Sequence, residues 1–138
     1  MLTTDQLEKA LKNYPFFRGV YAADQLPDEI KRGLYIANTD PTDKGGEHWV
    51  LFYKGEDGVI EFFDTFGRKP KLRWDGAWKY NTRTVQSPIS SACGYHVLYF
   101  AHFRRFYPFE KIIGNYGADL VENDKNVKRI VRFVFGEL

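Results

Sequence analysis

The segment His48-Trp49-Val50-Leu51-Phe52-Tyr53, followed by Gly55-Glu56-Asp57-Gly58 and then Val59-Ile60-Glu61-Phe62-Phe63, leaves this chain the fewest options. Two runs of aromatic and β-branched residues around a Gly- and Asp-rich turn predict an antiparallel hairpin, with a glycine free to take positive φ. Side chains alternate faces along a strand, so the number of turn residues decides which pairs meet at the open end. A three-residue loop, Glu56-Asp57-Gly58, pairs Trp49 with Thr65 and leaves His48 and Asp64 diagonal on one face; a two-residue turn separates them.

The rest of the chain supplies a small α+β domain around that hairpin. Thr3 and Gln6 have the spacing of a capping box, and Leu7, Ala10 and Leu11 follow at helical spacing, so a short amphipathic helix opens the chain. Phe16 to Ala23 and Leu34 to Asn38 read as strands or extended segments, Gly67 to Tyr80 as a long surface loop, and Thr82 to Gln86 as a further strand. The apolar run Ala92 to Phe106 predicts a buried helix capped by Ser90 or Ser91, and Val127, Ile130, Val131 and Val134 mark an amphipathic C-terminal helix. A chain of 138 residues can bury one substantial core, so one domain over 1–138 is expected, with a largely antiparallel or mixed sheet. No apolar run is long enough to span a bilayer, and the N-terminal residues lack the basic and apolar regions of a secretory signal. With one cysteine in the chain, no intramolecular disulfide can form, and a reducing, intracellular setting is expected.

That cysteine needs a reason. Cys93 stands in Ser90-Ser91-Ala92-Cys93-Gly94, at the start of the buried helix, where unpaired N–H groups and the helix dipole favour a thiolate and where its own N–H could meet a developing oxyanion. The plain alternative is a small buried hydrophobe, since free cysteines are among the most buried residues. A histidine beside a carboxylate is the other half of a nucleophilic triad: the acid fixes the tautomer and stabilises the imidazolium. His48 and Asp64 are that pair if the hairpin register is odd; otherwise they are ordinary strand-end polar residues. Gln86, ahead of the Ser87-Pro88 turn, carries a neutral amide suited either to an oxyanion hole or to bracing the loop. Gly94 is read as clearing the substrate's approach. His96, on the nucleophile's own helix, is a rival base but has no carboxylate partner evident in the sequence. Trp49 either roofs a substrate groove or belongs to the core. Gly45 and Gly46, with Glu47, either admit a substrate backbone or form a flexible turn. Arg68, Lys69, Lys71 and Arg73, near Trp74 and Trp78, either contact a nucleic-acid backbone or form a solvated loop.

Taken together, Gly45-Gly46-Glu47-His48-Trp49, Phe62-Phe63-Asp64-Thr65-Phe66-Gly67 and Gln86-Ser87-Pro88-Ile89-Ser90-Ser91-Ala92-Cys93-Gly94 resemble the adenain family of adenovirus maturation proteases and their relatives in adenovirus-like DNA mobile elements. The order His, acid, Gln, Cys is that of the wider clan containing the ubiquitin-like-protein proteases. Weaker similarity runs through Phe16 to Tyr21 and Tyr35 to Thr39 and spans most of the chain. The resemblance implies a central mixed sheet flanked by helices, a cysteine endopeptidase cutting viral precursor proteins after small residues, a host nuclear or cytoplasmic location and presence in the virion. It implies that His48, Asp64 and Cys93 are catalytic, that Gln86 and Cys93 form the oxyanion hole, and that no metal or other cofactor is required for the chemistry. Stimulation by a noncovalent peptide or by DNA is a further expectation. Three departures bear on the transfer. The acid is Asp64 where adenovirus enzymes usually carry Glu; the absence of a second cysteine excludes a disulfide-linked activator; and the chain is expected to lack part of the family's C-terminal extension. A ubiquitin-like-protein deconjugase and a noncatalytic nucleic-acid- or capsid-binding module are the alternative readings, although the deconjugases typically carry Asp directly before the cysteine, where this chain has Ala92.

Overall fold

The computed structural model describes residues 1–39, 48–70 and 74–138. Helix α1 (Thr4–Leu11) is capped as its sequence predicts: the Thr3 hydroxyl accepts from Gln6 N–H at 3.2 Å, while the Gln6 side chain accepts from Thr3 N–H at 2.8 Å. Five strands follow, β1 (Phe17–Tyr21), β2 (Gly33–Asn38), β3 (Trp49–Lys54), β4 (Ile60–Phe63) and β5 (Trp78–Tyr80), in sheet order β1-β2-β3-β4-β5. The outer pairs are parallel and the inner pairs antiparallel, giving a mixed sheet. The helices are completed by α2 (Cys93–Phe103), α3 (Phe109–Gly114) and α4 (Leu120–Phe135).

Alternation along the strands sorts the core into two layers. Leu34, Ile36, Trp49, Leu51 and Phe63 face α1, α2 and α4, where they meet Leu7, Leu11, Val97, Phe100, Val127 and Val131. Their neighbours Tyr35, Ala37, Val50, Phe52 and Phe62 face away and pack with Ile30 and Trp74. Each fully buried Leu, Ile or Phe contributes roughly 1.5–3 kcal/mol, so the helix-facing layer dominates cohesion. Phe63 lies stacked on Phe100 with ring centroids 4.8 Å apart, fastening the end of β4 to the middle of α2.

Of the two parities the sequence allowed, the hairpin takes the odd one, with a longer loop. The last pair is Lys54 with Ile60, so Gly55 to Val59 form the connection, and the pairing Leu51 with Phe63 continues the register that sets Trp49 opposite Thr65. Gly58 takes φ 77°, and the Asp57 carboxylate accepts from Val59 N–H at 3.0 Å.

Three sequence expectations are corrected. The segment read as a surface loop contains β5 and the buried Trp74, whose indole N–H donates to Pro27 O at 3.1 Å; its Gly, Asp and Lys content masked a short edge strand. The strand expected over Thr82 to Gln86 is irregular, because its groups are spent bracing neighbouring loops, as when Val85 N–H donates to Thr65 O at 2.8 Å. Finally, α2 starts at Cys93 and ends at Phe103; its N-cap is Ala92, and Ser90 Oγ accepts from Ala92 N–H at 3.4 Å instead of capping the helix directly. Among the described residues no helix is long and apolar enough to cross a membrane.

Candidate active site

The open end of the hairpin meets the N-terminus of α2. His48 immediately precedes β3 and Asp64 immediately follows β4, and the register brings His48 Nε2 to 2.8 Å from Asp64 Oδ1, with both residues buried. Cys93 is the first residue of α2, and its Sγ accepts from Trp49 N–H at 3.5 Å, so sheet edge and helix tip converge. Cys93 lies close enough to act on His48, since burial lowers the His48 pKa while Asp64 and Cys93 both raise it. Since Nε2 takes the carboxylate, Nδ1 is the nitrogen left for the thiol.

Several groups fix the acid. Asn81 accepts from Asp64 N–H at 3.2 Å and donates from Nδ2 to Asp64 O at 2.6 Å, clamping its main chain. The carboxylate accepts from Phe66 N–H at 2.9 Å on Oδ1 and from Arg68 Nε at 2.9 Å on Oδ2. The Phe66 ring stacks on His48 with centroids 4.7 Å apart and planes inclined by 24°. Burial pushes the Asp64 carboxyl up, but the His48 hydrogen bond, Phe66 N–H and Arg68 together hold it below the usual carboxylate value. Burial likewise acts to lower the His48 pKa, and the hydrogen bond to Asp64 together with the influence of Asp64 and Cys93 outweighs it, raising the pKa above the ordinary histidine value.

His96 makes an instructive contrast. It does have a carboxylate partner, contrary to the sequence reading: Nε2 lies 2.8 Å from Asp124 Oδ1, and Nδ1 lies 2.8 Å from the Tyr116 hydroxyl. The sequence hid the pair because Asp124 comes from α4, 28 residues away. His96 is fully buried, and desolvation outweighs Asp124, lowering its pKa. Both ring nitrogens are therefore satisfied in the neutral form by Tyr116 and Asp124, whereas His48 is the histidine whose pKa the Cys93 thiol helps to raise.

Gln86 is also buried. Its Oε1 accepts from the Thr65 hydroxyl at 2.5 Å, and its Nε2 donates to Ser90 O at 3.0 Å and Ser90 Oγ at 3.2 Å. The amide thus braces the loop before Cys93 and is oriented by it. Of the two roles considered for Trp49, its side chain takes the core one: the indole is buried in the helix-facing layer and donates to Leu2 O at 2.9 Å, while its main-chain N–H donates to the cysteine sulfur. The reason given for Gly94 is corrected: a Cβ there would lie 2.8 Å from Leu2 Cβ, so the glycine admits the N-terminal segment rather than clearing a path for substrate.

Arg68, grouped in the sequence with a candidate nucleic-acid stretch, pairs with Asp64, and its guanidinium lies 5.5 Å from the Phe66 ring centroid. Lys69 is exposed. Gly45, Gly46, Glu47, Lys71 and Arg73 lie outside the described residues. The residues that sequence reasoning missed, Asn81, Asp124 and Phe66, act through contacts between distant segments and leave no local motif; Phe66 alone stood within one, the Asp64-Thr65-Phe66-Gly67 segment. No protein-family model matches the chain, and a search of curated proteins returns no match.

Proposed function

We propose that this chain is a cysteine endopeptidase of the adenain kind, in which Cys93 is the nucleophile, His48 the base and Asp64 its orienter. The observation that carries the reading is the convergence of a thiol at a helix N-terminus with a buried histidine that is itself held by a buried carboxylate. The raised His48 pKa favours transfer of the thiol proton to the imidazole.

In the proposed reaction the Cys93 sulfur attacks the scissile carbonyl carbon, and the carbonyl π electrons move to oxygen. Cys93 N–H, which as the first helical N–H has no acceptor within the helix, and Gln86 Nε2 stabilise that oxyanion. The Ser90 carbonyl contact keeps the amide in place while its longer contact to the Ser90 hydroxyl gives way to the oxyanion. His48 then protonates the leaving amine as the C–N bond breaks, and afterwards takes a proton from the water that hydrolyses the thioester. The chemistry draws on these side chains and requires no metal.

The resemblance suggests precursor proteins cut after small residues such as glycine, an intracellular or virion setting, and stimulation by a peptide or DNA. Cleavage profiling of a peptide library by wild type and Cys93→Ala tests the activity: a Cys93-dependent profile is expected, and identical profiles for the two proteins would sink it. Addition of DNA at low salt should raise the rate if the basic segment is a DNA contact, and an indifferent rate removes that expectation. A ubiquitin-like electrophilic probe separates the deconjugase alternative, because labelling of Cys93 by it would favour a folded ubiquitin-like substrate.

A further inference from the structure

We infer that Leu2 is a positioning residue of the candidate active site: it ties the residue after His48 to the residue after Cys93 and so sets the approach of Trp49 N–H to the sulfur. The inference rests on the protease reading only in naming Cys93 the nucleophile and His48 its base.

The sheet fixes one side of that approach. Thr39 N–H donates to His48 O at 2.9 Å, and across a trans peptide the next N–H points the opposite way, so Trp49 N–H faces away from β2 and towards β4. β4 ends at Phe63, and Thr65 O, the acceptor next in that ladder, takes Val85 N–H at 2.8 Å. Cys93 Sγ accepts from Trp49 N–H in its place, at 3.5 Å. A donor on the sulfur favours the thiolate over the thiol, so the length of this contact bears on reactivity.

The other side is the tip of α2. Phe100, stacked on Phe63, fastens the middle of the helix, whereas Gly94, in its first turn, has no side chain of its own to pack. Leu2 takes that place. A Cβ on Gly94 would stand 2.8 Å from Leu2 Cβ and 3.2 Å from its Cγ and Cδ1, so the leucine lies directly over the glycine. The carbonyl of the same leucine accepts from the Trp49 indole N–H at 2.9 Å. Leu2 is buried and shares one core cluster with Trp49 and Cys93. Its own position comes from the cap of α1, because it precedes Thr3, whose reciprocal hydrogen bonds with Gln6 fix the entry of the chain into the helix. One residue therefore bears on strand and helix tip at once. Truncating it leaves a void against Gly94 into which the tip can relax, lengthening the contact to the sulfur.

The test is the pH profile of Cys93 alkylation by iodoacetamide, which reads the thiolate fraction, in variants whose fold is checked by circular dichroism and thermal melting. Leu2→Ala should move the profile up by about one pH unit, a roughly tenfold smaller thiolate fraction below the midpoint. Trp49→Phe, which removes the indole donor, should move it in the same direction, and Leu2→Met, which keeps the bulk, should leave it in place. Leu11→Ala, at the far end of the same helix and in the same core, controls for lost stability and should leave it unmoved. An unmoved profile in folded Leu2→Ala, or an equal shift in Leu11→Ala, overturns the inference; if Leu2→Ala does not fold, an unmoved profile in Trp49→Phe does so. If wild-type alkylation is that of an ordinary thiol and His48→Ala does not change it, the protease reading fails instead. Hydrogen exchange at the Trp49 main-chain amide, taken relative to that of Leu51, then judges the positioning alone. A ratio that rises in Leu2→Ala supports it, and an unchanged ratio refutes it.

Discussion

Replacing Asp64 by Asn isolates the electrostatic part of the proposed triad, because it keeps the shape of the side chain and removes its charge. His48 sits 2.8 Å from the carboxylate, and both side chains are almost fully enclosed, so solvent screens the pair weakly. Burial on its own lowers the His48 pKa; the contacts with Asp64 and Cys93 reverse that. Without the carboxylate, burial acts on His48 with only Cys93 left to oppose it. Loss of an opposite charge at this range moves a pKa by about 1–3 units, so the His48 pKa should fall by that order. One unit corresponds to about 1.4 kcal/mol of preference for the imidazolium. The assay is an NMR pH titration of the histidine side chains in wild type and Asp64→Asn, alongside the pH dependence of Cys93 alkylation. The basic limb of alkylation that reports His48 should shift to lower pH in the variant. His96 provides the internal control, since its carboxylate is Asp124, and its titration should stay in place. A His48 pKa that is unchanged in Asp64→Asn, or a shift of His96 in its place, would refute the assignment of Asp64 as the group that holds His48.

Arg68→Ala should raise the pKa of both Asp64 and His48, because it removes a cation while Phe66 N–H and Asn81 still hold the acid. Its side chain is more than half exposed, so peptide cleavage should fall by less than about tenfold, and a loss as large as that of Asp64→Asn would show that the pairing had been undervalued. Gly94→Ala forces a methyl group to within 2.8 Å of Leu2 Cβ and should destabilise the fold by about 1–3 kcal/mol in denaturant titration. Combined with Leu2→Gly, which removes that Cβ, the two effects should be less than additive, and strict additivity would exclude the clash. Stability also carries two opposing histidine contributions. The folded pKa of His96 is lowered, so between its ordinary value and the folded value the unfolded chain binds a proton that the folded chain refuses, and stability falls as pH drops below about 6.5. His48 has a raised folded pKa, so its contribution is fully present below about 6.5 and is lost as pH rises through the folded value. His48→Asn should therefore lose stability more steeply than wild type between neutral and mildly acid pH, and equal slopes would contradict the opposite signs. The lowered pKa values of Asp64 and Asp124 add stability above about 3.8 that disappears as pH falls through their folded values.

The local sequence determined the hairpin, the capped first helix, the buried helix that carries Cys93 and the amphipathic helix at the end, because each is written in nearest-neighbour chemistry: alternation, turn residues, capping side chains and helical spacing. The hairpin's parity was open in the sequence, and the observed register set His48 and Asp64 on one face. What only the tertiary structure decided was the company those residues keep. Trp74 and Trp78 stand among loop-forming residues, yet one is buried and the other begins an edge strand, because the far face of the sheet needs an apolar cover that local propensity does not register. The carboxylate of His96, the clamp of Asn81 on Asp64 and the pairing of Arg68 with the acid join segments by contact across the fold. A buried charge must find a partner wherever packing presents one, and that demand leaves no trace in the spacing of the residues along the chain.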